Sequence, residues 1–293
     1  MKVTLKAYAK INLLLDILGL LDNGYHNLYM LMQSIGLFDV VSVESTDDEK
    51  IQLTCSVSDI PIDQKNIAFK AVKAFFDYTG LKNPGIKIHI EKNIPHAAGL
   101  AGGSADGAAV VTALKTIFSP DLSDREIVEI CTRFGSDVPF CALGGTMLAQ
   151  GSGTILSYMP QLDLKNIIVV KPDCSVSTGE AYSAFDTASH IRHPDRNGIF
   201  QSVIDGDYEK LFSLVDNVFE QFIDVPERIT IKAIMRKHSA KCACMSGSGP
   251  SVFGVFENEK DAESCYNELK KQFERTYLCS SEKCGIEIIS VEK

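Results

Sequence analysis

The chain reads as an α+β protein of two domains, and three observations carry that reading. Short runs with the period of a strand are interspersed irregularly with runs of helical period, unlike the steady alternation of a doubly wound parallel sheet. A glycine-rich stretch, from Gly144-Gly145 to Gly151-Ser152-Gly153, closes one pattern, and a new strand at Ile167–Val170 opens another. With 293 residues there is length for two ordinary domains. The boundary is placed at 155–165, giving an expected first domain of 1–157 and a second of 158–293.

In chain order, Val3, Leu5, Ala7 and Ala9 alternate with Thr4, Lys6, Tyr8 and Lys10, which predicts a half-buried strand with Lys10 and Asn12 on its polar face. Further strands are expected at 40–44, 51–57 and 86–90. From Asn66, the apolar positions Ile67, Ala68, Ala71, Val72, Phe75 and Phe76 follow helical spacing, and Gly80 is placed to stop the helix. Ser123-Asp124-Arg125-Glu126 is a capping box for a helix that ends towards Gly135. The second half reads as a short helix capped by Ser177, helices near 207–222 and 226–237, and a glycine loop at 246–250. A strand at Val252–Phe256, a helix near 260–275 and a last strand at Ile286–Val291 complete it.

Composition excludes several classes of function. The 45% hydrophobic and 23% charged residues are ordinary for a folded globular protein. A net charge of -9 argues against a nucleic-acid partner, which requires massed Lys and Arg to displace counterions. No apolar run approaches the roughly 20 residues a spanning helix needs, so no membrane partner is expected. Nine cysteines, an odd number, are scattered through a chain whose start lacks an apolar leader segment, and the cytoplasm is the expected compartment. Cys242 and Cys244 form a C-x-C without a second ligand pair at zinc spacing, and are read as buried thiols.

The chemistry is expected at a loop that feeds a helix. Ile94-Pro95-His96-Ala97-Ala98-Gly99-Leu100-Ala101-Gly102-Gly103-Ser104 follows a strand and runs into the apolar helix Ala105–Leu114. Glycines let the backbone approach a ligand, and the free N–H groups and dipole of the helix start favour an anion, for which phosphate is the natural guest. The loop lacks the Walker lysine and the G-x-G-x-x-G of dinucleotide folds. Small residues for close helix packing explain Ala105, Gly107, Ala108 and Ala109 well, but Gly99, Gly102, Gly103 and Ser104 poorly. A second loop, Met245-Ser246-Gly247-Ser248-Gly249-Pro250, can bring further N–H donors to the same anion. In Gly135-Ser136-Asp137-Val138-Pro139-Phe140 the lone acid is either a helix N-cap or a catalytic carboxylate, and the residues alone leave both open. Lys10 is either a solvated strand lysine or the ammonium that stabilises such a carboxylate.

Taken together, Ala9-Lys10-Ile11-Asn12-Leu13, Pro95-x-x-x-Gly99-Leu100-x-Gly102-Gly103-Ser104 and Met245-Ser246-Gly247-Ser248-Gly249-Pro250 resemble the GHMP small-molecule kinases in order and spacing, over nearly the whole chain. Gly24-Tyr25-His26 and the Asp137 segment resemble the branch that acts on a cytidine diphosphate conjugate. The resemblance implies a ribosomal-S5-like N-terminal domain, a ferredoxin-like C-terminal domain, and ligands in the cleft between them. It implies ATP, with Mg2+, as phosphoryl donor and 4-diphosphocytidyl-2-C-methyl-D-erythritol as acceptor, in a monomer or homodimer. By the same resemblance Asp137 is the general base and Lys10 its partner. Asn66, Pro95, Ala97, Ala98, Gly99, Leu100, Ala101, Gly102, Gly103 and Ser104 hold the nucleotide, while Asn12, Tyr25, His26, Tyr182, Gly247 and Ser248 surround the acceptor. An aromatic face suits a base, and the imidazole next to Tyr25 can read its edge. The family's loop commonly carries more glycine, and this one has His96, Ala97, Ala98 and Ala101 in place of some of them; the alanines restrict φ at two or three positions.

Overall fold

A computed structural model describes the whole chain, residues 1–293. Its framework is one long hairpin, β1 (Lys2–Leu20) antiparallel to β2 (His26–Ser45). Both strands far exceed the expected 2–10 and 40–44. Alternation holds at the outer end, but from Ala7 to Ile17 every residue is buried, so the period of two vanishes from the sequence. Bulges between Tyr8 and Ala9 and between Asn12 and Leu14 re-aim the strand. Lys10 and Asn12, expected on a polar face, consequently point into the protein.

β3 (Ile51–Cys55) pairs parallel with β4 (Ile86–Glu91), and β4 pairs with β2. Between them lies α1 (Ile67–Thr79), started by the Asn66 side chain, which accepts from the Ala68 N–H. It is stopped by Gly80 at φ +69°. α2 (Gly102–Phe118) begins earlier than expected, so Gly102, Gly103 and Ser104 form its first turn rather than the loop before it. α3 (Asp124–Thr132) has its capping box closed in both directions by Ser123 and Glu126. α4 (Val138–Leu143) is too short to show a helical period in sequence. The glycine-rich stretch is a hairpin, β5 (Thr146–Gly151) and β6 (Ile155–Tyr158), with β5 on the inner half of β2. Gly151 and Gly153 supply the left-handed turn, at φ +63° and +94°.

The chain then builds a second, antiparallel sheet. β7 (Asn166–Val170) is followed by α5 (Thr178–Asp186), α6 (Arg196–Asp205) and α7 (Tyr208–Leu214). The helix expected over 207–222 is three pieces: α7, the two-residue strand β8 (Asp216–Asn217) beside β1, and a 3-10 turn at Val218–Gln221. Asn217 causes the break by donating to the Met245 and Gly247 carbonyls and accepting from the Phe219 N–H. After α8 (Pro226–Lys237) come β9 (Cys242–Met245), β10 (Val252–Phe256), α9 (Glu259–Lys270) and β11 (Thr276–Cys279), giving the sheet order β11-β7-β10-β9. The final strand, β12 (Ile286–Glu292), returns to the first sheet and pairs with β1. One face of the second sheet, through Ile167, Val169, Cys244 and Phe253, joins the main core, while the other packs under α8 and α9. All nine cysteines are unpaired, and Cys242 and Cys244 are buried.

Candidate active site

A cleft of about 770 Å³ lies where the loop before α2, the head of α4, the β1–β2 hairpin, α5 and the loop after β9 meet. Every residue expected at the site except Asn12 lines it. At its centre, Lys10 is 3% exposed, and its Nζ lies 2.6 Å from Asn12 Oδ1 and 3.8 Å from Asp137 Oδ2. Asp137 sits at the N-cap position of α4, but its side chain caps nothing and is 34% exposed towards the cleft. Apart from the ion pair to Lys10 the carboxylate is therefore uncommitted, which sets Asp137 apart from an ordinary capping aspartate.

Asn12 is fully enclosed. Its Oδ1 accepts from Lys10 Nζ and, at 3.0 Å, from the Gly247 N–H, so it fixes the lysine and the second glycine loop to each other. The two glycine loops touch directly. Ser246 Oγ donates to the Gly99 carbonyl at 2.9 Å, and a Cβ on Gly99 would lie 2.1 Å from the Ser246 carbonyl oxygen. Gly99, at φ +74°, thus has both a conformational and a steric reason to be glycine. Ala97 (φ +49°) and Ala101 (φ +59°) take the same left-handed region with a Cβ in place, and Ala101 is the residue immediately before α2. The N–H groups of the first turn open into the cleft at Gly102, Gly103 and Ser104.

Asn66 lines the cleft, but its side chain is already committed. The amide nitrogen donates to the Pro61 carbonyl at 2.7 Å and the oxygen caps α1. At the other end, Tyr25 is 61% exposed on the hairpin tip, whereas the His26 and Tyr182 rings stack at 4.3 Å with a 20° interplanar angle. Tyr182 also meets the Phe219 ring edge-on at 5.2 Å. Burial, with Asp137 adding to it, pushes the Tyr182 phenol up to about 12, so it is a neutral donor.

Sequence reasoning missed three supports. Asp186, one helical turn after Tyr182, holds His26 Nε2 at 2.8 Å. Thr178 meets Ser248 Oγ at 3.1 Å and links α5 to the second loop. Lys92 and Asp106 also line the cleft, with Asp39 behind them. Single acids and lysines in ordinary helices and strands carry no spacing signal, and only the fold brings them together.

Two family models match the chain: GHMP kinases N terminal domain over residues 66–145 and GHMP kinases C terminal over residues 205–275. A 4-diphosphocytidyl-2-C-methyl-D-erythritol kinase of Clostridium acetobutylicum is 41% identical over 94% of this chain and 99% of its own length. One of Clostridium tetani is 40% identical, over 94% and 98%. Among solved structures, that of a 4-(cytidine 5'-diphospho)-2C-methyl-D-erythritol kinase superposes with a TM-score of 0.78 at 26% identity, covering 96% of this chain and 99% of that one. A homoserine kinase from Cytophaga hutchinsonii superposes with a TM-score of 0.80 at 17% identity, covering 98% and 97%, and shares the fold.

Proposed function

The chain belongs to the GHMP kinases and, within them, to the 4-diphosphocytidyl-2-C-methyl-D-erythritol kinases, and from that premise we propose how its cleft transfers the γ-phosphoryl group of ATP to the 2-hydroxyl of 4-diphosphocytidyl-2-C-methyl-D-erythritol. The observation that carries the reading is the Lys10–Asp137 pair, a buried ammonium 3.8 Å from an uncapped carboxylate that opens into the cleft. Asp137 accepts the hydroxyl proton as the oxygen forms its bond to the γ-phosphorus. The bond from that phosphorus to the bridging β–γ oxygen breaks, and ADP leaves with its electron pair. Lys10, fixed by Asn12, pairs with the Asp137 carboxylate before the transfer and offsets charge on the phosphoryl oxygens during it.

The first turn of α2 and the loop from Pro95 to Ala101 hold the triphosphate, and Asn66 shapes the adenine end through its cap on α1. Tyr25, His26 and Tyr182 receive the cytosine, and Gly247 and Ser248 the remainder of the acceptor. No three His, Cys, Asp or Glu side chains of the cleft are grouped closely enough to hold a metal ion, so magnesium would arrive as the ATP complex, held by phosphates and water. When bound, the ion neutralises charge on the phosphates. No helix is long and apolar enough to cross a membrane, and nine unpaired thiols support a cytoplasmic enzyme.

The test is phosphoryl transfer from ATP to a panel containing the cytidine conjugate, its uridine counterpart, homoserine and mevalonate. The cytidine conjugate should be used preferentially. Asp137→Asn and Lys10→Ala should each lower kcat by about 10²–10³-fold. Near-normal turnover in Asp137→Asn would remove the assignment of the base.

A further inference from the structure

A second ionic cluster, separate from Lys10 and Asp137, lies under the phosphate loop. Lys92 Nζ contacts Asp39 Oδ2 and lies 2.7 Å from Asp106 Oδ2. All three side chains are 5% exposed or less. Asp39 is fully engaged, since its Oδ1 also accepts from the N–H groups of Asn93 at 2.6 Å and Ile94 at 2.8 Å, where the chain enters the loop. Asp106, in the second turn of α2, has an Oδ1 that is buried without a partner. Lys92 and Asp106 both line the cleft, and Lys92 Nζ lies 3.3 Å from where a Cβ on Gly102 would stand.

With both acids ionised, one ammonium would face two carboxylates, and the uncompensated charge would sit below the helix start that is to receive a triphosphate. Asp39 accepts from Lys92 and from two backbone N–H groups, whereas Asp106 accepts from Lys92 alone. Burial pushes Asp106 up to about 8, with Lys92 opposing and Asp39 adding to the rise. Burial opposes the charge on Lys92, but Asp106 and Asp39 overcome it and hold the ammonium above its ordinary range. Two further groups face the cluster, Cys141 of α4 towards Asp106 and Tyr277 of β11 towards Asp39, and burial raises both, so each is neutral near pH 7; Lys10 and Asp137 lie beyond Cys141, and Arg275 and Glu274 beyond Tyr277.

We propose that Asp106 is a positioning residue of the nucleotide site that acts as a neutral acid, balancing the Lys92–Asp39 pair so that Lys92 stays against the first turn of α2 and the triphosphate meets no net negative charge. This rests on the ATP-dependent kinase reading. The proton stays on Asp106 through the catalytic cycle and is not transferred to substrate.

The experiment measures binding of a non-hydrolysable ATP analogue, and KM for ATP, from about pH 6.5 to 9 in the full-length wild type and in Asp106→Asn, which keeps the shape and a donor but does not titrate. Wild-type affinity should fall about tenfold as the pH passes the point where Asp106 ionises. The Asp106→Asn variant should lose that fall and keep only the dependence due to the analogue. A variant that reproduces the wild-type profile, or a wild type that binds the analogue with no such fall, would overturn the proposal and leave the kinase reading standing. A wild type that binds no nucleotide at any pH would overturn both. An independent readout needs no variant: the infrared carbonyl band of one buried protonated carboxyl should be present in the wild type near neutral pH and vanish by about pH 9. Its absence near neutral pH would also overturn the proposal.

Discussion

At the scale of single residues, the site separates groups free to act from groups already occupied. Asp137 and Tyr25 have free polar or aromatic surface, while Asn12 and Asn66 spend their amides on Lys10, Gly247, Pro61 and the start of α1. The sequence named all four, because motif position marks a residue without telling whether its side chain is spent inside or offered to a ligand. The aromatic end shows a similar division. Tyr182 is fixed by His26 on one face and by the Phe219 ring, and Asp186 fixes His26 in turn, so this wall is rigid, as the cytosine site proposed for it requires. A stacked base contributes about 1–3 kcal/mol, so Tyr182→Ala should raise KM for the cytidine conjugate by about ten- to a hundredfold. Binding of the ATP analogue should shift by less than about threefold in the same variant. Equal losses for the two ligands, measured by calorimetry, would make Tyr182 a general packing residue.

At the scale of elements, the loop before α2 carries backbone strain where the sequence pointed to departures from glycine. Ala97 and Ala101 both adopt positive φ, in which a Cβ crowds the carbonyl oxygen and costs about 1–2 kcal/mol per residue. Ala101→Gly relieves that cost and gives back part of it as unfolded-chain entropy, so a net stabilisation of about 0.5–1 kcal/mol is expected from urea unfolding. Gly99→Ala should do the reverse and more, since its Cβ would strike the Ser246 carbonyl. A destabilised Ala101→Gly would show that the alanine methyl packs better than its dihedral costs. Elements with an end signal, such as α1, α3 and α8, were legible because a cap or proline is a local interaction written in adjacent residues. The inner halves of β1 and β2 were not, because burial on both faces erases alternation. The break at Asn217 was not either, because its partners lie at Met245 and Gly247.

At the scale of the molecule, the last strand bears on the helix that carries Asp137. After completing the second sheet the chain returns as β12 beside β1, and the approach is very close: the Gly285 N–H donates to the Leu143 carbonyl at 3.2 Å and its carbonyl accepts from the Tyr8 N–H at 2.9 Å. A Cβ on Gly285 would lie 1.8 Å from the Cys141 carbonyl oxygen, and one on Gly144 would lie 1.9 Å from the Gly285 nitrogen. These atoms are backbone, so no side-chain rotation relieves the contact, and α4 or β12 must move. Because α4 carries Asp137 at its head and ends against Gly285, a shift there alters the distance from Asp137 to Lys10 on β1. Gly285→Ala is therefore expected to cost about 2–4 kcal/mol of stability by urea unfolding. If Asp137 is the base proposed above, kcat should fall by at least about tenfold, since a displacement of about 1 Å is enough to misalign it. The backbone bonds of Gly285 go to Leu143 and Tyr8 and not to the loop proposed to hold the triphosphate, so KM for ATP should change far less than kcat. A Gly285→Ala enzyme with wild-type stability and turnover would show that the end of the chain is not packed against α4 in the way the fold requires.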